Sequence, residues 1–231
     1  QVGAHVLERA QGGRGVLMGG VPGVKAAKVV VIGAGVSGMN AAEIALGMQA
    51  DVWILDKNVA QLRQVDRVYR GHAQTITSNL YEVEKAVLDA DLVIGAVLVP
   101  GAKAPTLVSN DLVSRMRAGS VLVDIAIDQG GCFEDSRPTT HDNPTYRVHN
   151  SIFYCVANMP GAVPHTSTYA LTNVTLPYAV ELANHGWRAT LAADPALALG
   201  LNTHDGRITY GPVAEAHAME PVDLAEVLAE G

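Results

Sequence analysis

Short apolar runs that alternate with stretches of helical spacing predict an α/β fold, a doubly wound and mostly parallel sheet with helices on both faces. Three observations carry that expectation. The runs KVVVIGAG, DVWILD, DLVIGAVLV and SVLVDIAID are continuously apolar rather than alternating, as strands buried on both faces must be. Helix-patterned stretches separate them, which is the signature of parallel strands joined by crossovers. The chain has 231 residues, 48% hydrophobic and 17% charged, so it can bury a sizeable core in one large domain or two small ones.

In chain order, QVGAHVLERAQ (1–11) reads as a helix already in progress, since no Ser, Thr or Asp precedes it as a cap; with Gln1 in place of Met, a fragment of a longer protein is expected. GGRGVLMGGVPGV (12–24) is too rich in glycine for regular structure. KVVVIGAG is a strand breaking into glycines, and VSGMNAAEIALGMQ is the helix that follows. DVWILD, NVAQLRQVDRVYR, QTITSN and LYEVEKAVLDA continue as strand, helix, strand and helix. DLVIGAVLVPG, SNDLVSRMRAG and SVLVDIAID add strand, helix and a fifth strand expected to release the chain at Asp128. QGGCFEDSRPTTHDNPTYRVHN (129–150) is polar and turn-rich and reads as loop, and SIFYCVANMPG as one more buried strand closing the sheet. HTSTYALTNVTLPYAVELANHGW reads as a long helix, kinked at Pro177 because proline removes a backbone donor. The rest of the tail reads as short helices and turns without a core of its own.

Composition excludes several function classes. No apolar run reaches the roughly 18 residues of a membrane helix. A net charge of -7 with scattered Lys and Arg disfavours a nucleic-acid partner. Cys132 and Cys155 lie in apolar surroundings without CxxC or His at ligand spacing, so both read as reduced core thiols, and no metal is expected. Nothing at the N-terminus resembles a secretion signal, which leaves the cytoplasm as the default. P-loop, nucleophile-elbow and HExxH patterns are all missing from the sequence.

The sharpest local signal is GAGVSG at 33–38. It matches G-x-G-x-x-G after a strand and at the start of a helix, and Asp56 ends the next strand about 20 residues on, as the dinucleotide (Rossmann) fingerprint requires. Gly33 permits the tight turn, Gly35 lets backbone approach a pyrophosphate, and Gly38 lets helix and strand pack closely. Val36 and Ser37 begin the helix, whose free N–H groups suit an anion. Asp56 would accept the adenosine ribose hydroxyls and repel a 2′-phosphate, favouring NAD(H) over NADP(H). The bland alternative, a glycine turn in a non-binding domain, is disfavoured by this context.

Two further places lie at the carboxyl edge, where open α/β sheets bind ligands. Backbone around Val97 and Leu98 is either a lining for the nicotinamide ribose or a plain loop, and the residues do not choose between these. Asp128 is placed to bond a ribose or substrate and exchange protons, although position alone favours a cap or turn role. Asp124, four residues earlier and expected on the same strand face, reads as structural, tied to neighbouring backbone or a serine. The eight histidines are spread singly, and none acquires a catalytic role from the pattern.

Five segments, QGGRGVLMGGVPGV, VVVIGAGVSGMNAA, LVIGAVLVPGAKAPTLVS, VLVDIAIDQGGCFEDSRPTTH and YCVANMPGAVPHTSTYALTN, together resemble the bacterial L-alanine dehydrogenases over nearly the whole chain. The resemblance implies an NAD(H)-binding Rossmann domain over 1–165, in which 1–11 is an inter-domain helix. It also implies a segment, 166–231, that returns with long helices to a second, incomplete substrate domain. It implies NAD-dependent, reversible oxidative deamination of L-alanine to pyruvate and ammonium, by a cytoplasmic homo-oligomer that is a hexamer in the family. Carried over by motif, Gly33, Gly35 and Gly38 hold the pyrophosphate, Asp56 the adenosine ribose, and Ser78 flanks the adenine. Val97 and Leu98, residues 125–128 with Ile125 and Asp128, and residues 156–159 with Val156, Asn158 and Met159 surround the nicotinamide half. Asp128 matches the catalytic aspartate, which works with a histidine in water activation and proton transfer. The family's preceding substrate domain, with its arginine, lysine and that histidine, has no counterpart here. The chain alone is therefore expected to bind NAD(H) more readily than to turn over alanine. The alternative is a non-catalytic NAD(H)-binding module or the nucleotide-binding component of a transhydrogenase.

Overall fold

The computed structural model describes residues 1–97 and 105–230, and their contacts form two compact units, Gln1–Ala162 and Val163–Gly231. In the first unit the elements are α1 (Val2–Val6), β1 (Lys28–Ile32), α2 (Val36–Gly47), β2 (Asp51–Asp56), α3 (Val59–Tyr69), β3 (Ala73–Thr77), α4 (Leu80–Leu88), β4 (Leu92–Gly95), α5 (Asn110–Ser114), β5 (Val121–Asp124), β6 (Thr145–Val148) and β7 (Ser151–Tyr154). The seven strands make one sheet in the order β3-β2-β1-β4-β5-β7-β6. All neighbours run parallel except β6, which pairs antiparallel with β7. This is the doubly wound α/β architecture, and its order reverses direction between β1 and β4, where a crevice opens at the carboxyl ends.

The continuous apolar runs are explained by burial on both faces. Along β1, Val29 and Val31 enter one apolar cluster with Val52 and Ile54, whereas Val30 and Ile32 enter another with Leu55 and Val93. Successive strand side chains point to opposite faces, so each run feeds two cores at once. Helices start where the sequence supplies a cap: the side chains of Asn58, Asn79 and Ser109 accept from the N–H groups of Ala60, Glu82 and Leu112 at the heads of α3, α4 and α5. α2 differs, because no side chain caps it. Its buried face is Gly38, Ala42 and Ala45, small enough for a close approach to the sheet.

Several expectations are corrected. The leading helix is short, α1 followed by a 3-10 turn at Arg9–Gln11. Helix α5 covers only the start of its expected stretch. β5 ends at Asp124, and Ile125–Gln129 is a 3-10 turn whose Ala126 and Ile127 are buried. Asp124 and Asp128 therefore do not share a strand face; the apolar run continues past the strand because the turn also packs inward. A strand, β6, lies where loop was expected, and it forms the sheet's edge with mostly half-buried residues that give no strong apolar signal.

The second unit comprises α6 (Pro164–Ala193), α7 (Pro195–Ala198), a hairpin of β8 (Thr203–His204) and β9 (Arg207–Ile208), α8 (Gly211–Ala216) and α9 (Leu224–Ala229). The break in α6 falls at Gly186 (φ 75°, ψ 158°), not at Pro177. Proline's fixed φ is itself helical, whereas the backbone at Gly186 is one that only glycine adopts freely. A small core does exist: Leu191, Ala198, Ile208, Ala214 and Val227 are buried, and Arg188 donates to the Val227 and Leu228 carbonyls near the end of α9. Among the described residues no helix is long and apolar enough to cross a membrane.

Candidate functional site

At the crevice between β1 and β4 lies a cavity of about 480 Å3. It is lined by Gly33, Gly35, Val36 and Ser37 after β1, Asp56 at the end of β2 with Lys57 and Asn58 after it, Gln61 in α3, Ser78 after β3, and Ala96 and Val97 after β4. The parallel register delivers this convergence, since Ile32 pairs with both Leu55 and Gly95 and the chain leaves all three strands at one level.

Each glycine of the turn has a distinct reason. Gly33 sits at φ 108°, and a Cβ there would come within 2.6 Å of the Ala96 carbonyl oxygen. A Cβ on Gly38 would run into the Gly33 carbonyl oxygen, so this residue lets α2 close onto the turn. Around Gly35 a Cβ would meet nothing within 4 Å, because it would project into open space. That space is a cradle directly before the uncapped start of α2, whose first-turn N–H groups lack intrahelical partners and favour an anion.

Asp56 is half-buried and held on both oxygens: Oδ2 accepts from Ala34 N (2.7 Å) and Oδ1 from Asn58 N (2.7 Å). A carboxylate oxygen has two acceptor sites, so each retains one for an incoming hydroxyl. The bond to Ala34 links the acid to the glycine turn and fixes the distance between the two groups that a dinucleotide would span.

Seven of the residues expected from the sequence thus meet in one cavity: Gly33, Gly35, Val36, Ser37, Asp56, Ser78 and Val97. Gly38 packs behind it. Leu98 lies outside the described residues. Ile125, Asp128, Val156, Asn158 and Met159 do not line this cavity; they follow β5 and β7, the next strands along the carboxyl edge. Ile125, Val156 and Met159 join one apolar cluster, while Asp128 and Asn158 are exposed. The carboxylate buried at the end of β5 is Asp124, which is 0% exposed and bonded to backbone and to Ser136, as its structural reading anticipated.

Sequence reasoning missed Lys57, Asn58 and Gln61. Asn58 carries a readable signal, a capping residue two places after Asp56, and Gln61 follows three residues on, along the first turn of the same helix. Both cysteines are free and buried. Burial first, then the charge of Asp124 and its hydrogen bond, push the Cys132 thiol up; burial does the same to Cys155. Among the described residues no group of three or more His, Cys, Asp or Glu is arranged to hold a metal ion.

The family described as "Alanine dehydrogenase/PNT, C-terminal domain" matches residues 1–211. The alanine dehydrogenase of Mycobacterium tuberculosis is 63% identical over 229 residues, which are 99% of this chain and 62% of that protein. A solved L-alanine dehydrogenase superposes with a TM-score of 0.89 at 51% identity, covering 99% of this chain and 61% of its own. A solved transhydrogenase from Sinorhizobium meliloti gives a TM-score of 0.61 at 27% identity, covering 81% of this chain and 51% of its own. The chain therefore spans about three-fifths of the length of the alanine dehydrogenases it matches.

Proposed function

We propose, from the premise that this chain belongs to the alanine dehydrogenase/PNT C-terminal domain family, that it is the coenzyme-binding part of an NAD-dependent enzyme. In the whole protein the reaction converts L-alanine, NAD+ and water reversibly into pyruvate, ammonium, NADH and a proton. The observation that carries this reading is the single cavity in which the open cradle at Gly35, the uncapped start of α2 and the doubly held Asp56 converge. The 63% identity to an alanine dehydrogenase supports the choice of substrate.

Residues of the chain divide the work. The turn at 33–38 and the head of α2 bind a diphosphate through backbone N–H groups, which cost no reorganisation when the charge arrives. Asp56 accepts the 2′- and 3′-hydroxyls of the adenosine ribose on its two free acceptor sites, and its charge opposes a 2′-phosphate. Ser78 flanks the adenine. Val97, Ile125, Val156, Asn158 and Met159 wall the nicotinamide half and exclude water from it. Bound there, NAD+ supplies the hydride acceptor. Asp128, exposed on its 3-10 turn, exchanges protons with the water and ammonia that add to and leave the substrate carbon. The residues that grip the substrate carboxylate, and the histidine paired with Asp128, belong to a part of the protein outside this chain. The assembly is a homo-oligomer, a hexamer by family likeness, in the cytoplasm, where the two buried thiols stay reduced.

The test is NADH formation when L-alanine and NAD+ are given to the full-length parent protein. Alanine-dependent NADH is the expected result. Reduction of NADP+ by NADH without any need for alanine would instead indicate a transhydrogenase component and overturn this reading.

A further inference from the structure

Asp124 is wholly buried, and among the described residues its hydrogen-bond partners are backbone N–H groups, a thiol and a hydroxyl. Stability alone is a weak reason to keep such a group, because a well-packed apolar replacement of a buried charge is often neutral or better. Its partners suggest another reason. Oδ1 accepts from Ala126 N (3.0 Å), in the turn that carries Asp128, and faces Cys132 Sγ at 3.5 Å. Oδ2 accepts from Cys132 N (2.9 Å), Phe133 N (3.4 Å) and the Ser136 hydroxyl. The acid thus ties the turn after β5 to the segment that follows it.

That segment, 130–141, in turn touches the other two walls. Leu107 N donates to Cys132 O (2.8 Å) and Glu134 N to Val108 O (2.9 Å), and Leu107 lines the cavity. Thr139 N donates to Cys155 O (2.9 Å), Ala157 N to Thr139 O (3.3 Å), and His141 Nε2 lies 2.7 Å from Asn158 O. The path has little slack: Gly131 holds φ 74°, and a Cβ there would come within 2.7 Å of Asp124 Oδ2 and 2.6 Å of Ser136 Cβ.

We propose that Asp124 is a positioning residue for the nicotinamide half of the site: through segment 130–141 it holds the Asp128 turn, the Leu107 wall and the Val156–Asn158 wall in fixed mutual register. This rests on the reading of the Asp128 turn and of Val156 and Asn158 as nicotinamide surround; Leu107 lines the cavity beside Val97. The effect falls mainly on this half, since the glycine turn, Asp56 and Ser78 stand at the ends of β1, β2 and β3, although Leu107, which also lines their cavity, is bonded to the bracket. Loss of the acid acts on hydride transfer and leaves coenzyme affinity nearly alone.

The experiment uses the full-length protein with Asp124→Asn, Ser136→Ala and, as a control, Asp128→Asn. It reads NADH affinity by fluorescence, kcat, and the isotope effect with alanine deuterated at Cα. Asp124→Asn places an amide N–H against N–H donors; turnover falls about 100-fold, as a misplacement of the order of 1 Å does. Coenzyme affinity stays within about threefold, and the isotope effect rises because hydride transfer becomes slower than product release. Ser136→Ala removes one donor and lowers kcat about tenfold with the same signature. If Asp124→Asn does not fold, Ser136→Ala decides. A lowered melting temperature with unchanged kcat and isotope effect per folded molecule, while Asp128→Asn is inactive, overturns the bracket alone. Full turnover in all three variants would mean that the nicotinamide placement itself is wrong.

Discussion

The two halves of the site are built in opposite ways. The half assigned to adenosine and diphosphate is built on one contiguous hexapeptide and one acid, and its geometry is set by backbone: a positive-φ glycine, a glycine that lets a helix close, and an uncapped helix head. The half assigned to nicotinamide is assembled from three segments far apart in sequence, after β4, β5 and β7; the first and last bond to residues 132–141, and Asp124 bonds to the near end of that stretch. A backbone-built site resists most substitutions outside its glycines, whereas a bracketed one is exposed to the loss of a single hub. The first kind fixes affinity; the second fixes the alignment that chemistry needs.

The comparison predicts a split between kcat and affinity. The largest effect belongs to Asp128→Asn in the full-length enzyme: kcat falls about 1,000-fold, the range of general acid–base catalysis, while NADH affinity is retained. Steady-state turnover and a fluorescence titration check it together. Gly33→Ala should act on the fold instead, since φ 108° and the 2.6 Å approach to Ala96 O together cost about 3 kcal/mol. A shifted denaturant midpoint reads that loss. Asp56→Asn sets an amide N–H against Ala34 N or Asn58 N and removes the charge; NADH binding weakens about 10- to 100-fold and the preference over NADPH shrinks, with kcat little changed. The smallest effect is no effect. Burial holds the Cys132 and Cys155 thiols neutral, so a thiol reagent at mildly alkaline pH leaves them untouched until denaturant is added.

The same contrast explains what the sequence discloses. The alternation of buried strands and helices and the 33–38 turn are legible because each is a local pattern with a local cause. Asp56 is legible because the fingerprint fixes its distance from the glycines. β6 is not, because an edge strand with half-buried residues lacks an apolar signature. The end of β5 is hidden by Ala126 and Ile127, which are as buried in their 3-10 turn as any strand residue. Gln61 escapes notice because its position over the cavity depends on how α3 is set against the sheet. Ser78, Ile125, Val156, Asn158 and Met159 enter only through family resemblance, since no spacing rule joins residues brought together by separate strands. The role of Asp124 is half-visible: a serine partner is anticipated, but the link through segment 130–141 to both other walls needs the fold.

Gly35 provides the most direct test of the central claim that the turn at 33–38 is a cradle for a diphosphate. Its φ of -73° suits any residue, and an added Cβ meets no protein atom within 4 Å, so a larger side chain costs the fold little and fills the cradle. NADH binding by the chain carrying Gly35→Val is the measurement. The account predicts an unchanged melting temperature and loss of the fluorescence response to NADH. Binding as tight as that of the unaltered chain would contradict it.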